Sequence, residues 1–150
     1  MKTLVVGCGN LAQGDAGVGY RVAEAVAALA LANVTAKPCY QLPLELLADI
    51  AEVDQLIWVD AVTPQNPCSA IFIERLVPKA PQEGVYTHHD SLQDLLARSQ
   101  TLYNHIPLTY SILLPTRDFC PTEQLSPIAM AGIKQALSRI YSLLKLENFS

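Results

Sequence analysis

The sequence predicts an α/β fold: a single three-layer domain over residues 1–150, with a mostly parallel, twisted sheet of about five strands and helices on both faces. Three observations predict it. Short apolar or β-branched runs alternate with longer stretches whose apolar residues recur at helical spacing. The strongest run, "QLIWVDA", is almost wholly apolar, as a strand covered on both faces must be. A length of 150 residues, 51% of them hydrophobic, suffices for one true core.

The elements follow in order. "TLVVG" reads as a first strand, and a helix is expected from about Ala16 to Ala32, with Val18, Val22, Ala25, Val26 and Leu29 on its apolar stripe. "VTAKPCY" is a second strand, placed at an edge because Pro38 cannot donate to a ladder. Pro43 suits the first turn of a helix in "PLELLADIAEV". "QLIWVDA" is the third strand and the central one. A Pro-rich stretch, "VTPQNPCS", leads to "AIFIERL", whose alternation predicts a half-exposed strand forming a hairpin. Ser91 is the expected cap of a helix over "LQDLLARS", with Asp94 as its capping-box partner, which leaves His88 in the preceding loop. "LTYSILLP" is the last strand. "LSPIAMAGIKQALSRIYSLL" is a closing amphipathic helix, with Ser126 as cap and Pro127 in its first turn.

Composition excludes several classes. Ten basic residues against fourteen acidic ones give a net charge of −4, without a basic stretch, so no nucleic-acid partner is expected. The apolar run "VAEAVAALALANV" is interrupted by Glu24 and is too short to span a bilayer, so no membrane partner is expected either. "MKTLVVG" runs into a turn rather than a cleavage site, which gives no sign of a secretory signal. Cys8, Cys39, Cys68 and Cys120 are spread out with no Cys-x-x-Cys pair. They read as isolated thiols of a cytoplasmic protein, not as a zinc site or a disulfide framework.

The chemistry centres on "GCGNLAQGDAGVG". A dinucleotide fingerprint needs a third glycine where Ala12 stands and an acid near the end of the second strand, which closes instead with "AKPCYQ". A phosphate loop needs a Lys-Ser or Lys-Thr pair after Gly14, and none follows. The turn is therefore expected to orient side chains. Gly7 and Gly9 allow close approach or positive φ, and Asn10 can bond its own loop backbone. Asp15 either complements the following helix dipole, worth ~0.3–1 kcal/mol, or faces a cation. Asp60 closes a buried strand, where a carboxylate needs a turn, a partner or a ligand. His88, beside His89 and Asp90, is either a polar loop residue or an imidazole ligand. A Cys8–His88 nucleophile pair lacks the rest of a cysteine-hydrolase signature, and His105 reads as a surface turn residue. Asp15, Asp60 and His88 all fall at or near the carboxyl ends of strands, the zone where such sheets bind ligands.

Taken together, the chain resembles the hydrogenase maturation endopeptidases, which trim the large subunit of nickel–iron hydrogenases. The resemblance rests on "VVGCGNLAQGDAGVGYRVAEAV", "LIWVDAV", "THHDSLQDLL" and "TEQLSPIAMAGI", in that order and spanning nearly the whole chain. It implies an endopeptidase that removes the C-terminal extension of a nickel-loaded hydrogenase precursor. Nickel is then the recognition element, supplied by the substrate, and the enzyme has no tightly bound cofactor of its own. It also implies catalytic and metal-recognition roles for Asp60 and His88. The family's remaining acid is the second of two in succession, and here the pair reads Asp15-Ala16. Three readings of that departure stand: Asp15 substitutes as ligand; a substrate group, water or other residue completes the set; or the protein binds precursors without cutting them. A small-molecule or nucleotide-binding α/β domain is the remaining alternative.

Overall fold

The structure, a computed structural model, describes residues 1–62, 70–79 and 88–148, with the backbone alone at 88–90 and 146–148. Four parallel strands and one antiparallel strand form a single sheet in the order β2-β1-β3-β5-β4. These are β1 (Thr3–Cys8), β2 (Val34–Cys39), β3 (Gln55–Ala61), β4 (Phe72–Leu76) and β5 (Leu108–Leu114). The helices are α1 (Val18–Ala28), α2 (Leu46–Ala51), α3 (His88–Tyr103) and α4 (Pro127–Asn148). The fold class expected from the sequence is the one observed, with β3 at the centre and Pro38 on an edge strand.

Each strand sends alternate side chains to opposite faces. Leu4, Val6, Cys8, Leu56 and Trp58 join Leu46 and Ile50 of α2 and Leu92, Leu95 and Leu96 of α3 in one buried cluster. Val5, Ile57, Val59, Ile112 and Leu114 join Val18, Val22 and Val26 of α1 and Ala129, Ala136 and Ile140 of α4 in the other. The crossover from β1 to β2 runs one way along the sheet, and the later crossovers run the other. Right-handed connections then put α1 on one face and α2 and α3 on the opposite face. The strand order reverses between β1 and β3, and this is the switch point at which open α/β sheets form their ligand crevice.

Three local expectations are corrected. The first helix is shorter than its apolar pattern: a 3₁₀ turn at Gly14–Gly17 precedes α1, which stops at Ala28 and leaves Leu29 exposed. β4 makes no hairpin with β3. It pairs antiparallel with β5, which is inserted between them after α3 crosses the sheet. Ser91 is not a cap, because α3 begins three residues earlier, at His88, and Asp94 instead pairs with Arg98 one turn on. The last helix starts as expected, with the Ser126 hydroxyl accepting the Ala129 N–H at 3.3 Å.

Candidate functional site

The site is a row of side chains across the carboxyl edge of the sheet. Cys8 and Cys39 are register partners at the ends of β1 and β2. Gly7 and Val59 are the last register pair of β1 with β3, so Cys8 and Asp60 each stand one residue beyond it. Asp60 in turn pairs with Leu113 of β5. Alternation puts Cys8 and Asp60 on the face that carries α2 and α3, as it does Val6 and Trp58. Asp60 is only 5% exposed, and its Oδ1 accepts the Ala61 N–H at 2.8 Å.

α3 packs on the same face of the sheet. The far end of α3 is tied to the amino edge, where the Ser99 hydroxyl bonds the His105 carbonyl and the Leu108 N–H bonds the Asp54 carbonyl. A helix of 16 residues extends about 24 Å at 1.5 Å per residue, roughly the length of a strand of this sheet. Ser91, Asp94 and Leu95 of its first turns share a shallow pocket with Leu42 and Leu44 of the segment after β2. His88 is the first residue of α3, and its side chain lies outside the described residues.

The glycine turn carries the chain over this edge to the opposite face. Two glycines here are demanded by close approach. A Cβ on Gly7 would lie 1.9 Å from the Gly19 carbonyl oxygen, and one on Gly9 would lie 2.2 Å from that of Ala16. Positive φ occurs only later in the turn, at Gly14. Asn10 bonds its own loop as expected, its Oδ1 accepting the Ala12 N–H at 2.9 Å.

Asp15 makes its bonds to a different segment. Its carboxylate is 2% exposed and holds the segment between β5 and α4. One oxygen accepts the Ser126 N–H at 2.8 Å; the other accepts the Ser126 hydroxyl at 2.6 Å and the Arg117 N–H at 2.7 Å. Burial alone would raise this group's pKa, but the Ser126 and Arg117 hydrogen bonds outweigh it and hold the carboxyl below its usual range. A carboxylate offers about four acceptor positions, and three are taken. Neighbouring bonds fasten the same segment: the Gly14 N–H to the Thr122 carbonyl, the Asp15 N–H to the Asp118 carbonyl, and Arg21 Nη2 to the Glu123 carbonyl. Ser126 was legible as a helix cap; its bond to Asp15, 111 residues away, left no sequence signal.

Cys8, Cys39 and Cys120 are free thiols, as expected, and Cys8 and Cys39 stand side by side as register partners. The neighbouring Cys39 side chain, burial, and the charges of Cys39 and Asp60 push the Cys8 thiol well above its ordinary value. Both are final residues of strands that turned out to be neighbours, and matching strand ends is the one sequence signal that pairs them. Cys120 is exposed, and Cys68 lies outside the described residues. His105 is half-buried rather than a free surface residue, its ring bonded to the Val53 carbonyl at 2.6 Å. Among the described residues, no three or more His, Cys, Asp or Glu side chains gather closely enough to hold a metal ion. Among them, too, no helix is long and apolar enough to cross a membrane.

A mixed, mostly parallel five-stranded sheet with this switch-point edge is the fold of the hydrogenase maturation proteases. Among solved structures, the hydrogenase maturating endopeptidase HybD from Escherichia coli superposes with a TM-score of 0.78 at 24% identity, over 98% of this chain and 94% of that one. The [NiFe] hydrogenase maturation protease HycI from Thermococcus kodakarensis gives 0.75 at 22% identity, over 96% and 92%. An endopeptidase from Escherichia coli, solved in solution, gives 0.73 at 26% identity, over 98% and 94%. No family model matches the chain, nor does any curated protein.

Proposed function

We propose that the protein is an endopeptidase that removes the C-terminal extension of a nickel-loaded [NiFe]-hydrogenase large-subunit precursor. The observation that carries this reading is Asp60, a buried carboxylate at the carboxyl end of the central strand, which His88 at the start of α3 is expected to join. Full-length likeness to the structures of hydrogenase maturation proteases supports it. A hard carboxylate and a borderline imidazole suit a divalent ion, and the ion is the precursor's own, so these groups read the substrate rather than house a cofactor. Binding that nickel holds the scissile peptide against the edge, which converts an encounter into an oriented, near-unimolecular step. A carboxylate or a polarised water then acts on the peptide carbonyl. Asp15, with three of its acceptor positions taken by the segment before α4, serves to position the turn.

A second reading has its own observation. Ala16 stands where the family's acid is expected, and a methyl cannot serve as a donor. On this reading the protein recognises precursors and does not cut them. One experiment separates the two: nickel-loaded precursor is incubated with the wild type, Asp60→Ala, His88→Ala and Ala16→Asp, and release of the C-terminal fragment is followed by mass. Cleavage by the wild type, lost in Asp60→Ala and His88→Ala with melting temperatures preserved, supports the protease. Undiminished cleavage by both alanine variants removes their roles. Cleavage by Ala16→Asp alone replaces the protease with the binding protein.

A further inference from the structure

We propose that Cys8 and Cys39 form a reversible thiol–disulfide site, a modification site at the edge of the candidate cleft that takes a low-molecular-weight disulfide as its reaction partner. The geometry is that of a bond waiting to form. The two residues are register partners on adjacent parallel strands, with side chains on the same face. Adjacent strands run about 4.8 Å apart, inside the ~4.4–6.8 Å between Cα atoms that a disulfide spans. The backbone is held at both ends of the would-be bridge, since the Gly9 N–H bonds the Cys39 carbonyl at 3.0 Å. Exposure divides the labour: Cys39 is partly exposed and Cys8 is 1% exposed, so a reagent meets Cys39 first.

The exchange balances without further reagents. The Cys39 sulfur, as thiolate, attacks one sulfur of a disulfide such as oxidised glutathione; a mixed disulfide forms and one glutathione thiolate leaves with the proton that Cys39 lost. The Cys8 sulfur then attacks Cys39 Sγ, its proton passes to the second leaving glutathione, and the Cys8–Cys39 bond closes. Two protein thiols are oxidised, one small disulfide is reduced to two thiols, and no electrons are left over. The closed bridge ties the end of β1 to the end of β2 at the turn that leads to Ala16, next to Asp60 in the row. The inference stands on strand register and does not require the proposed protease activity.

The test uses the full chain with Cys68→Ser and Cys120→Ser, so that only this pair remains. Reduced protein is incubated with oxidised glutathione, its free thiols are blocked, and the tryptic peptides are mapped by mass. The expected result is a link between the peptide ending at Arg21 and the peptide carrying Cys39. The link is reversed by dithiothreitol, is missing in Cys39→Ser, and comes with a melting temperature several degrees higher in the oxidised form. Free thiols at both positions, or separate glutathione adducts without a link, overturn the proposal. Should the double variant fail to fold, the same map on the wild type decides after a second digestion at glutamate, which cuts after Glu45 and Glu52 and separates Cys39 from Cys68.

Discussion

Asp15 shows how one residue can take a structural task from a position where chemistry was sought. Its three acceptor bonds replace water that burial has removed, and they join the first turn of the chain to the cap of the last helix. Asn at this position keeps the shape but turns an amide donor toward groups that themselves donate. Asp15→Asn is expected to cost about 1–3 kcal/mol at neutral pH, the usual penalty for leaving buried partners unmatched. The pH dependence has a definite sign. The folded carboxyl titrates below its usual value, so in acid the unfolded chain takes up the proton first. Stability from this group is therefore complete above the ordinary carboxyl value of about 3.9 and is lost as pH falls from there through the lower folded value. Urea denaturation at neutral pH and at steps into acid should show the wild-type advantage shrinking in that window. An advantage that stays constant across it would rule the account out.

At the scale of elements, the tightest joint is the crossing of α1 over the ends of β1 and β3. A Cβ on Gly19 would sit 2.3 Å from the Cys8 carbonyl oxygen and 2.6 Å from that of Val59. Both are main-chain atoms of parallel strands and cannot rotate aside. Gly19→Ala is expected to reach or exceed the upper end of the ~1–3 kcal/mol that overpacking costs. Gly132→Ala meets chiefly the Pro115 ring, at 2.9 Å, and should cost less. Thermal melts of the two variants test the ranking, and a Gly19→Ala melt equal to wild type would refute it. Legibility divides along the same line. β3, the edge placement of β2 and the cap of α4 were readable because each is written in a few adjacent residues. The insertion of β5 between β3 and β4 was not, since neighbours in a sheet are chosen by crossovers that no local pattern records. The start of α3 was missed because "HHD" carries no apolar periodicity, so the serine after it looked like the boundary. Of the site, the Asp60 strand end was readable from its own segment, while the Cys8–Cys39 contact and the Asp15–Ser126 bond needed the assembled sheet.

The whole molecule divides its labour between two faces. On the proposed reading, the face under α2 and α3 brings the row from Cys39 to Leu113 to the cleft, while the face under α1 and α4 supplies support. β3 joins the two, with Ile57 pointing to the supporting cluster and Asp60, three residues on, pointing to the row. Ile57 is fully buried on the central strand, so Ile57→Ala should lose about 2–5 kcal/mol through lost transfer energy and the cavity left behind. Against a typical total of about 5–15 kcal/mol that is a large share, yet the backbone of β3 remains paired on both sides and the carboxyl edge keeps its geometry. Cleavage of nickel-loaded precursor, divided by the folded fraction from urea denaturation, should therefore stay near wild type in Ile57→Ala. In Asp60→Ala the same ratio should collapse while the folded fraction holds. A common fall in both variants would mean that the sheet does not insulate the cleft from its supporting core, and the two-face division would have to be abandoned.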